Sequence, residues 1–304
     1  MSDLIQIKSI SQVHDFFGME KPKHPLVTVL QLNNKFRETG LNRIHYSTDL
    51  YQIVFKSGKC PDLRYGRNNY DYQEGTLLFI GPGQTMQIDL DDEDVISDIG
   101  SWALLFHSDL IRKSELGKTI DHYAFFSYNV NEALHVSDEE KKLLEEIISR
   151  IVKEYSQNID KHSQELIVSQ IKLLLDYCTR YYDRQFHTRS NLNKDIVTNF
   201  EELLKDYYNS DNPSENGVPS VKHFGEALNL SPYYLGDLLK KETGRNTQEY
   251  IHFYIIEKAK TALLSSTDSI SQIAYDLGFE YPQHFSKLFK NKTGMSPKEY
   301  RKVT

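Results

Sequence analysis

Two groups of side chains, fifty positions apart, are of types that suit hydrogen bonding to a polar, anionic polymer. Tyr233, Gly236, Asp237 and Lys240 form the first; Gln283, Ser286, Lys287 and Lys290 form the second, with His284 beside them. A Gln amide can pair bidentately with adenine, a Lys ammonium can donate to guanine, and an Asp carboxylate can accept from the cytosine amine. Tyr233 could stack on a sugar-phosphate or touch a thymine methyl. Lys240, Lys241, Lys290 and Lys292 suit phosphate oxygens, contacts that position a protein without specifying sequence. Plainer roles stand beside these. Asp237 could be the i,i+4 partner of Lys241, the lysines could simply face solvent, and Tyr234, Tyr250 and Tyr254 could be packing residues.

Such chemistry needs both groups on the outward faces of firmly held helices. In "VKHFGEALNLSPYYLGDLLKKETG" (221–244), Phe224, Gly225, Leu228, Leu230, Leu235 and Leu238 have the spacing of helix, tight turn, helix. Gly225 lets the helices cross closely, Ser231-Pro232 supplies an N-cap and first helical residue, and Gly244 supplies a stop. "SISQIAYDLGFEYPQHFSKLFKNKTG" (269–294) repeats this template through Ile273, Ala274, Leu277, Gly278, Phe279, Phe285, Leu288 and Phe289. Its turn is one residue longer, with Gly278 where positive φ is needed and Tyr281 where Ser231 stood, which weakens the cap. Leu238, Lys240, Thr243, Gly244, Glu249 and Tyr250 recur fifty positions on as Leu288, Lys290, Thr293, Gly294, Glu299 and Tyr300. Between the copies, "TQEYIHFYIIEKAKTALLSS" (247–266) carries Ile251, Ile255, Ala259, Ala262 and Leu263 on one helical stripe. A helix of that length spans roughly 30 Å, close to the ~34 Å between successive major-groove faces on one side of B-DNA. Two groove-reading helices joined by a stiff strut are the expected arrangement.

Residues 195–304 closely resemble the AraC/XylS-type DNA-binding domain, through "SPYYLGDLLKKETG", "ISQIAYDLGF" and "FSKLFKNKTGMSPKEYR" ending in Arg301. The resemblance implies that the early outward positions of each second helix approach bases. Asp237 departs from the family, many of whose members carry a basic or neutral polar residue there. The implied function is a sequence-specific transcription regulator that binds double-stranded DNA, with RNA polymerase as a candidate partner and an activity set by a signal at the N-terminal domain.

Upstream, "PLVTVLQL", "DLYQIVFKS", "NNYDYQ", "GTLLFI", "QTMQIDL" and "SWALLF" between 25 and 106 are short strand-like runs, most of them divided by Gly, Pro, Asn or Asp. They suggest a barrel or jelly roll. "EGTLLFIGPGQ" (74–84) resembles the Gly-x5-Pro-x-Gly element of cupins, though with six residues between Gly75 and Pro82 and none between Pro82 and Gly83, and "WALLFHSDL" (102–110) resembles a recurrent phrase of these regulators. The fold expected is α+β and multidomain: a cupin-like sensing domain over 1–136, a helical dimerisation segment over 137–190, and a DNA-binding domain over 195–304. Leu143, Leu144, Ile147, Ile148 and Ile151 mark one amphipathic helix, with Ser137 and Glu140 as its capping pair. Leu166, Ile167, Gln170, Leu174, Tyr177, Cys178 and Tyr181 mark the next. This hairpin either packs on its own barrel or exposes a stripe and forms a homodimer. "HTRSNLNK" (187–194) reads as an interdomain linker, and "NSDNPSENGVPS" (209–220) as a loop.

Arg43, His45, Tyr51, Arg64, Tyr65 and Tyr70 are candidates to line a barrel mouth for a polar ligand. A metal-dependent cupin enzyme would need clustered His and Glu. Where such cupins often present a His, this chain has Gln84, Thr85 and Met86, and its 11 histidines include no His-x-His. His45 and His107 read as structural. No nucleophile motif or phosphate-binding glycine loop is present, so neither enzyme activity nor a cofactor is expected. Other readings are an RNA-binding or protein-interaction module, and an N-terminal domain that only dimerises.

The bulk numbers agree. The 304 residues call for two domains, and the net charge of −7 is uneven. Over 220–304 there are 12 Lys and Arg against 9 Asp and Glu, and over 1–219 there are 24 against 34, so the anionic partner belongs at the C-terminal end. Cys60 and Cys178 lack metal-type spacing and suit a reducing cytosol. The N-terminus lacks a basic leader and no run reaches the ~20 apolar residues of a membrane span, so a cytoplasmic location is expected.

Overall fold

A computed structural model describes residues 5–32, 43–57, 75–89, 100–129, 132–157 and 160–302. The expected strand "NNYDYQ", the candidate residues Arg64, Tyr65 and Tyr70, and Cys60 lie outside them. The chain divides into two compact units, Met1–Thr188 and Arg189–Thr304.

In the first unit, β-branched and aromatic runs form two sheets. The smaller has the order β1 (Ile5–Ile7), β3 (Arg43–Thr48), β6 (Thr85–Asp89). The larger has the order β2 (Val27–Leu32), β7 (Ser101–His107), β4 (Leu50–Ser57), β5 (Gly75–Ile80), β8 (Leu134–Val136), all antiparallel. Helix α1 (Ile10–Phe16) is capped by the Ser9 hydroxyl. Its Ile10 and Val13 join Ile7 and Tyr46 from the small sheet and Leu30, Leu50, Ala103 and Leu105 from the large one in one buried cluster. Inside it the Tyr46 hydroxyl donates to the Gln52 side-chain oxygen at 3.1 Å, and burial pushes the phenol up to about 12.

The opposite face of the large sheet is also buried. Phe55 stacks on Trp102, Tyr51 stacks on Phe106, and Phe79 meets Phe125 and Phe126. This explains why β7 reads as a continuous apolar run rather than an alternating one. Short helices α2 (Ser108–Ile111) and α3 (Glu115–Thr119), followed by 3-10 turns over 120–127, lead into β8. Then come α4 (Asp138–Ser156) and α5 (Ser163–Thr188). The capping pair read from sequence is present: the Ser137 hydroxyl accepts from Glu140 N–H and the Glu140 carboxylate accepts from Ser137 N–H. Helix α4 buries Leu144, Ile147, Ile148 and Ile151; α5 buries Ile167, Ile171, Leu174, Leu175 and Cys178. Both pack within their own unit.

These helices also close the edges of the large sheet, where unpaired backbone groups would otherwise invite another strand. At β2, Val29 N–H donates to the Tyr155 hydroxyl at 3.2 Å. At β8, His135 N–H donates to the Gln185 side-chain oxygen at 2.9 Å, and the Gln185 amide donates to Ala133 C=O at 3.1 Å. Arg184 donates to His135 C=O at 2.7 Å and ion-pairs with Glu140 at 2.8 Å. One Gln side chain thus does the work of a missing strand.

The 187–194 stretch, read as an interdomain linker, holds the boundary between the two units and is helical on both sides of it. Helix α5 runs to Thr188, and α6 (Ser190–Asn209) begins after the single non-helical residue Arg189. The polar composition marked the boundary, but these residues have adequate helix propensity and no Gly or Pro to stop either helix. The rest of the second unit is α7 (Asn212–Asn216), α8 (Val221–Leu228), α9 (Pro232–Thr243), α10 (Thr247–Ser265), α11 (Ile270–Asp276), α12 (Pro282–Thr293) and α13 (Pro297–Tyr300). Helix α10 packs on α9 and also on α11 and α13.

Candidate nucleic-acid interface

The two copies agree down to single hydrogen bonds. Helix α8 starts at Ser220, whose hydroxyl accepts from His223 N–H; α11 starts at Ser269, whose hydroxyl accepts from Gln272 N–H. Each then ends in a left-handed residue, Asn229 at φ 55° and Gly278 at φ 87°. The following N–H reaches back five residues, Leu230 to Gly225 C=O at 2.8 Å and Phe279 to Ala274 C=O at 2.9 Å. This is the Schellman closure. A methyl on Gly225 would lie 2.7 Å from the Leu230 carbonyl oxygen, so the short turn admits only glycine there. The second turn has one residue more and carries Ala274, fully buried, at the matching place.

The second helices also share their exits. In α9 and α12 the N–H of Gly244 and Gly294, at φ 78° and 80°, donates to Lys240 and Lys290 C=O. The Thr243 and Thr293 hydroxyls donate to Leu239 and Phe289 C=O at 2.7 and 2.8 Å. Capping boxes then open the next helices, Asn246 with Glu249 for α10 and Ser296 with Glu299 for α13. Tyr250 packs edge-on against Phe200, and Tyr300 against Phe289. Most of the residues that recur at fifty therefore build helix ends and core.

Entry into the two helices differs as expected. The Ser231 hydroxyl accepts from Tyr234 N–H at 3.1 Å, whereas Tyr281 gives α12 no side-chain cap. Tyr234, Leu235, Leu238 and Leu239 are buried on α9, and Phe285 and Phe289 on α12. Leu288, expected to match Leu238, is half-buried. Of the candidate contacts, Tyr233, Lys240, Gln283, His284, Lys287 and Lys290 are exposed. Gly236, Asp237 and Ser286 are half-buried, and a methyl on Gly236 would lie 3.9 Å from the Thr247 hydroxyl at the start of α10, an ordinary contact. Tyr281, 47% exposed and edge-on to His284, was noticed in the sequence only as a weak cap. Its signal was the combination of a failed cap and a large aromatic at a helix entrance.

The charges are asymmetric between the copies. Helix α12 carries Lys287, Lys290 and Lys292 and no acidic residue, while α9 sets Asp237 and Glu242 against Lys240 and Lys241. On α10, burial and then nearby Lys292 hold His252 below the usual histidine range. Burial, followed by its hydrogen bond to the Glu201 carboxylate, pushes the Tyr250 phenol up to about 12. Both serve the scaffold.

The other candidates fall in the first unit. Arg43 and His45 occupy β3 positions opposite Asp89 and Gln87. Tyr51 is half-buried on the helix-covered face of the large sheet, between Phe106 and Phe126, away from the cluster between the sheets. His107 caps α2, its ring nitrogen accepting from Asp109 N–H at 3.1 Å. Gln84 closes the 81–84 turn by accepting from Gly81 N–H and donating to Phe126 C=O, both at 2.9 Å.

Residues 224–303 match the family described as helix-turn-helix domain. The uncharacterized HTH-type transcriptional regulator YijO of Escherichia coli K12 is 26% identical over 269 residues, 83% of this chain and 89% of that protein. The HTH-type transcriptional activator RhaS of Escherichia fergusonii is 38% identical over 88 residues, 26% of this chain and 32% of its own length. Among solved structures, the C-terminal domain of AraT, a response regulator from Geobacillus stearothermophilus, is 28% identical over 36% of this chain and 85% of that one, with a TM-score of 0.32. Residues 224–303 are thus a helix-turn-helix domain, built here as two copies of matching hydrogen-bond pattern, and the chain is similar over most of its length to an HTH-type transcriptional regulator.

Proposed function

We propose that α9 and α12 enter two adjacent major-groove segments of one duplex, with α10 as the strut between them. The observation that carries this reading is the pairing of identical helix exits with exposed, chemically different outward faces. At 19 residues α10 is about 28 Å long, comparable with the ~34 Å groove repeat. Gln283 and Lys287 read bases on α12, with His284 and Ser286 near the entrance. Tyr233 and Asp237 face the other segment from α9, Gly236 permits close approach, and Lys240 and Lys290 hold phosphates. Footprinting of the full chain on its operators tests this: two protected segments one helical turn apart per protomer are expected, and a single one would defeat it.

The first unit acts as a cupin-like sensing module, a reading supported by two sheets sharing one apolar cluster. The chain works as a homodimer in the cytoplasm, without catalysis of its own, and passes its signal to RNA polymerase. Leu166, Leu173 and Tyr177 fall on one stripe of α5, with Leu166 50% and Leu173 38% exposed. Sedimentation of a Leu166→Glu, Leu173→Glu variant at fixed concentration should show monomer where the parent is dimer.

A further inference from the structure

The first unit contains a cavity outside the cluster between its sheets. It opens between β5, the 81–84 turn, the 3-10 segment after α3 and α5, and holds about 260 Å³. Phe79, Phe125, Tyr128 and Tyr182 line it, with Gln84 and Asn129 among its polar groups. The rings form a connected set: Phe125 stacks on Tyr182 at 5.4 Å and 16°, Phe79 lies 4.3 Å from Phe125, and Tyr128 stands edge-on to Tyr182 at 5.3 Å.

We propose that this cavity binds a neutral, fused two-ring aromatic molecule bearing a hydroxyl or carbonyl on one edge, and that this molecule is the regulator's effector. The effector role rests on the sensing function proposed above; the binding itself does not. Size, charge and wall chemistry each point the same way. A cavity of roughly 150 Å³ admits benzene, and pockets for drug-sized ligands start at about 300 Å³, so 260 Å³ lies in the range of two fused rings. The described lining residues carry no Asp, Glu, Lys, Arg or His, so a charged ligand would be desolvated without a counter-ion. Aromatic walls favour offset or edge-on contacts with another π-system. The polar edge has its partner in Gln84: its amide has two donors, one of which is used on Phe126 C=O. The Asn129 side chain, at an exposed position, adds a second amide at the rim.

An occupant would touch two structural joints together. Gln84 ties the 81–84 turn to the 3-10 segment, and Tyr182 belongs to the last turns of α5, next to the Arg184 and Gln185 contacts that hold β8. Filling the cavity stiffens the end of the helix after which the DNA-binding unit begins.

The test is calorimetric titration of the full chain with 2-naphthol, repeated with Asn129→Trp and Thr85→Trp, two exposed rim positions whose enlargement narrows the mouth without entering the core. Saturable one-site binding is expected, weakened roughly tenfold or more in each variant while thermal melting stays that of the parent. No saturable binding by the parent, or equal affinity in both variants, overturns the site. A second arm measures operator affinity with and without saturating 2-naphthol. A shift in the parent that is absent in the variants supports the effector role; unchanged operator affinity overturns that role and leaves the binding site standing.

Discussion

At the scale of single residues, the fifty-residue repeat separates scaffold from readout. Thr243 and Thr293, Gly244 and Gly294, and Glu249 and Glu299 recur because each closes or opens a helix by the same hydrogen bond. The outward positions Tyr233 and Gln283, and Asp237 and Lys287, do not recur, a difference the proposed reading of different bases requires. Gln283→Ala and Lys287→Ala should each weaken binding of a cognate duplex by about 1–3 kcal/mol. Unchanged mobility-shift affinity in both variants would remove α12 from base readout. Gly278 illustrates the scaffold side. Its φ is +87°, and an added methyl would sit 2.6 Å from the Gly217 carbonyl carbon. Gly278→Ala should destabilise the second unit by about 2 kcal/mol or more, combining left-handed strain with a backbone clash. Chemical denaturation monitored by helical circular dichroism measures it.

Individual elements show how one fold tolerates different starts. Helix α9 has a hydroxyl cap and α12 has none. Ser231→Ala should cost about 1 kcal/mol, whereas Tyr281→Ser should stabilise by about 0.5–1 kcal/mol by supplying the missing acceptor. Opposite-signed shifts in melting temperature are the expected result; equal signs would show that the caps do not govern these helix entrances. If Tyr281 also meets DNA, the second variant will gain stability while losing affinity. Elements differed too in how readily they were read. The 3.6-residue stripes of α4, α5 and α10 were plain because each has one buried face, and the Ser137–Glu140 capping box named the start of α4. Strands β1, β3 and β8 are not legible in the sequence: β1 and β8 have three residues each, too few for a period to show, and β3 spans "RIHYST", where polar residues interrupt the run. The junction at Arg189 lies within the polar stretch that marks the boundary, and it is helical on both sides because a polar sequence without Gly or Pro is as compatible with helix as with coil.

For the whole molecule, charge distribution dominates. The chain is acidic overall, yet its 220–304 segment is net basic and α12 is basic throughout. Affinity for DNA must then rest on a few local lysines rather than a broad field, and the salt dependence should be shallow. Lys240→Ala and Lys290→Ala should each lower the slope of log affinity against log salt by about 1. Titrations at several salt concentrations measure this. A slope unaltered in both would place these lysines in solvent rather than on phosphates. Dimerisation would restore affinity by presenting four groove-reading helices to one operator, through effective concentration rather than new contacts.

The amino-acid sequence alone determined the helix-turn-helix copies, their caps and stops, and the division into a strand-rich and a helical part. These depend on neighbours within a few positions, where propensity, periodicity and capping chemistry operate. Only the tertiary structure decided which candidates stand in solvent, why Gly225 cannot be alanine, and that Gln185 and Tyr155 finish the edges of a sheet. It also brought Phe79, Tyr128 and Tyr182 to one cavity, although about a hundred residues separate the first and last. Contacts at such separations follow from how sheets and helices stack, and no local pattern in the chain encodes them.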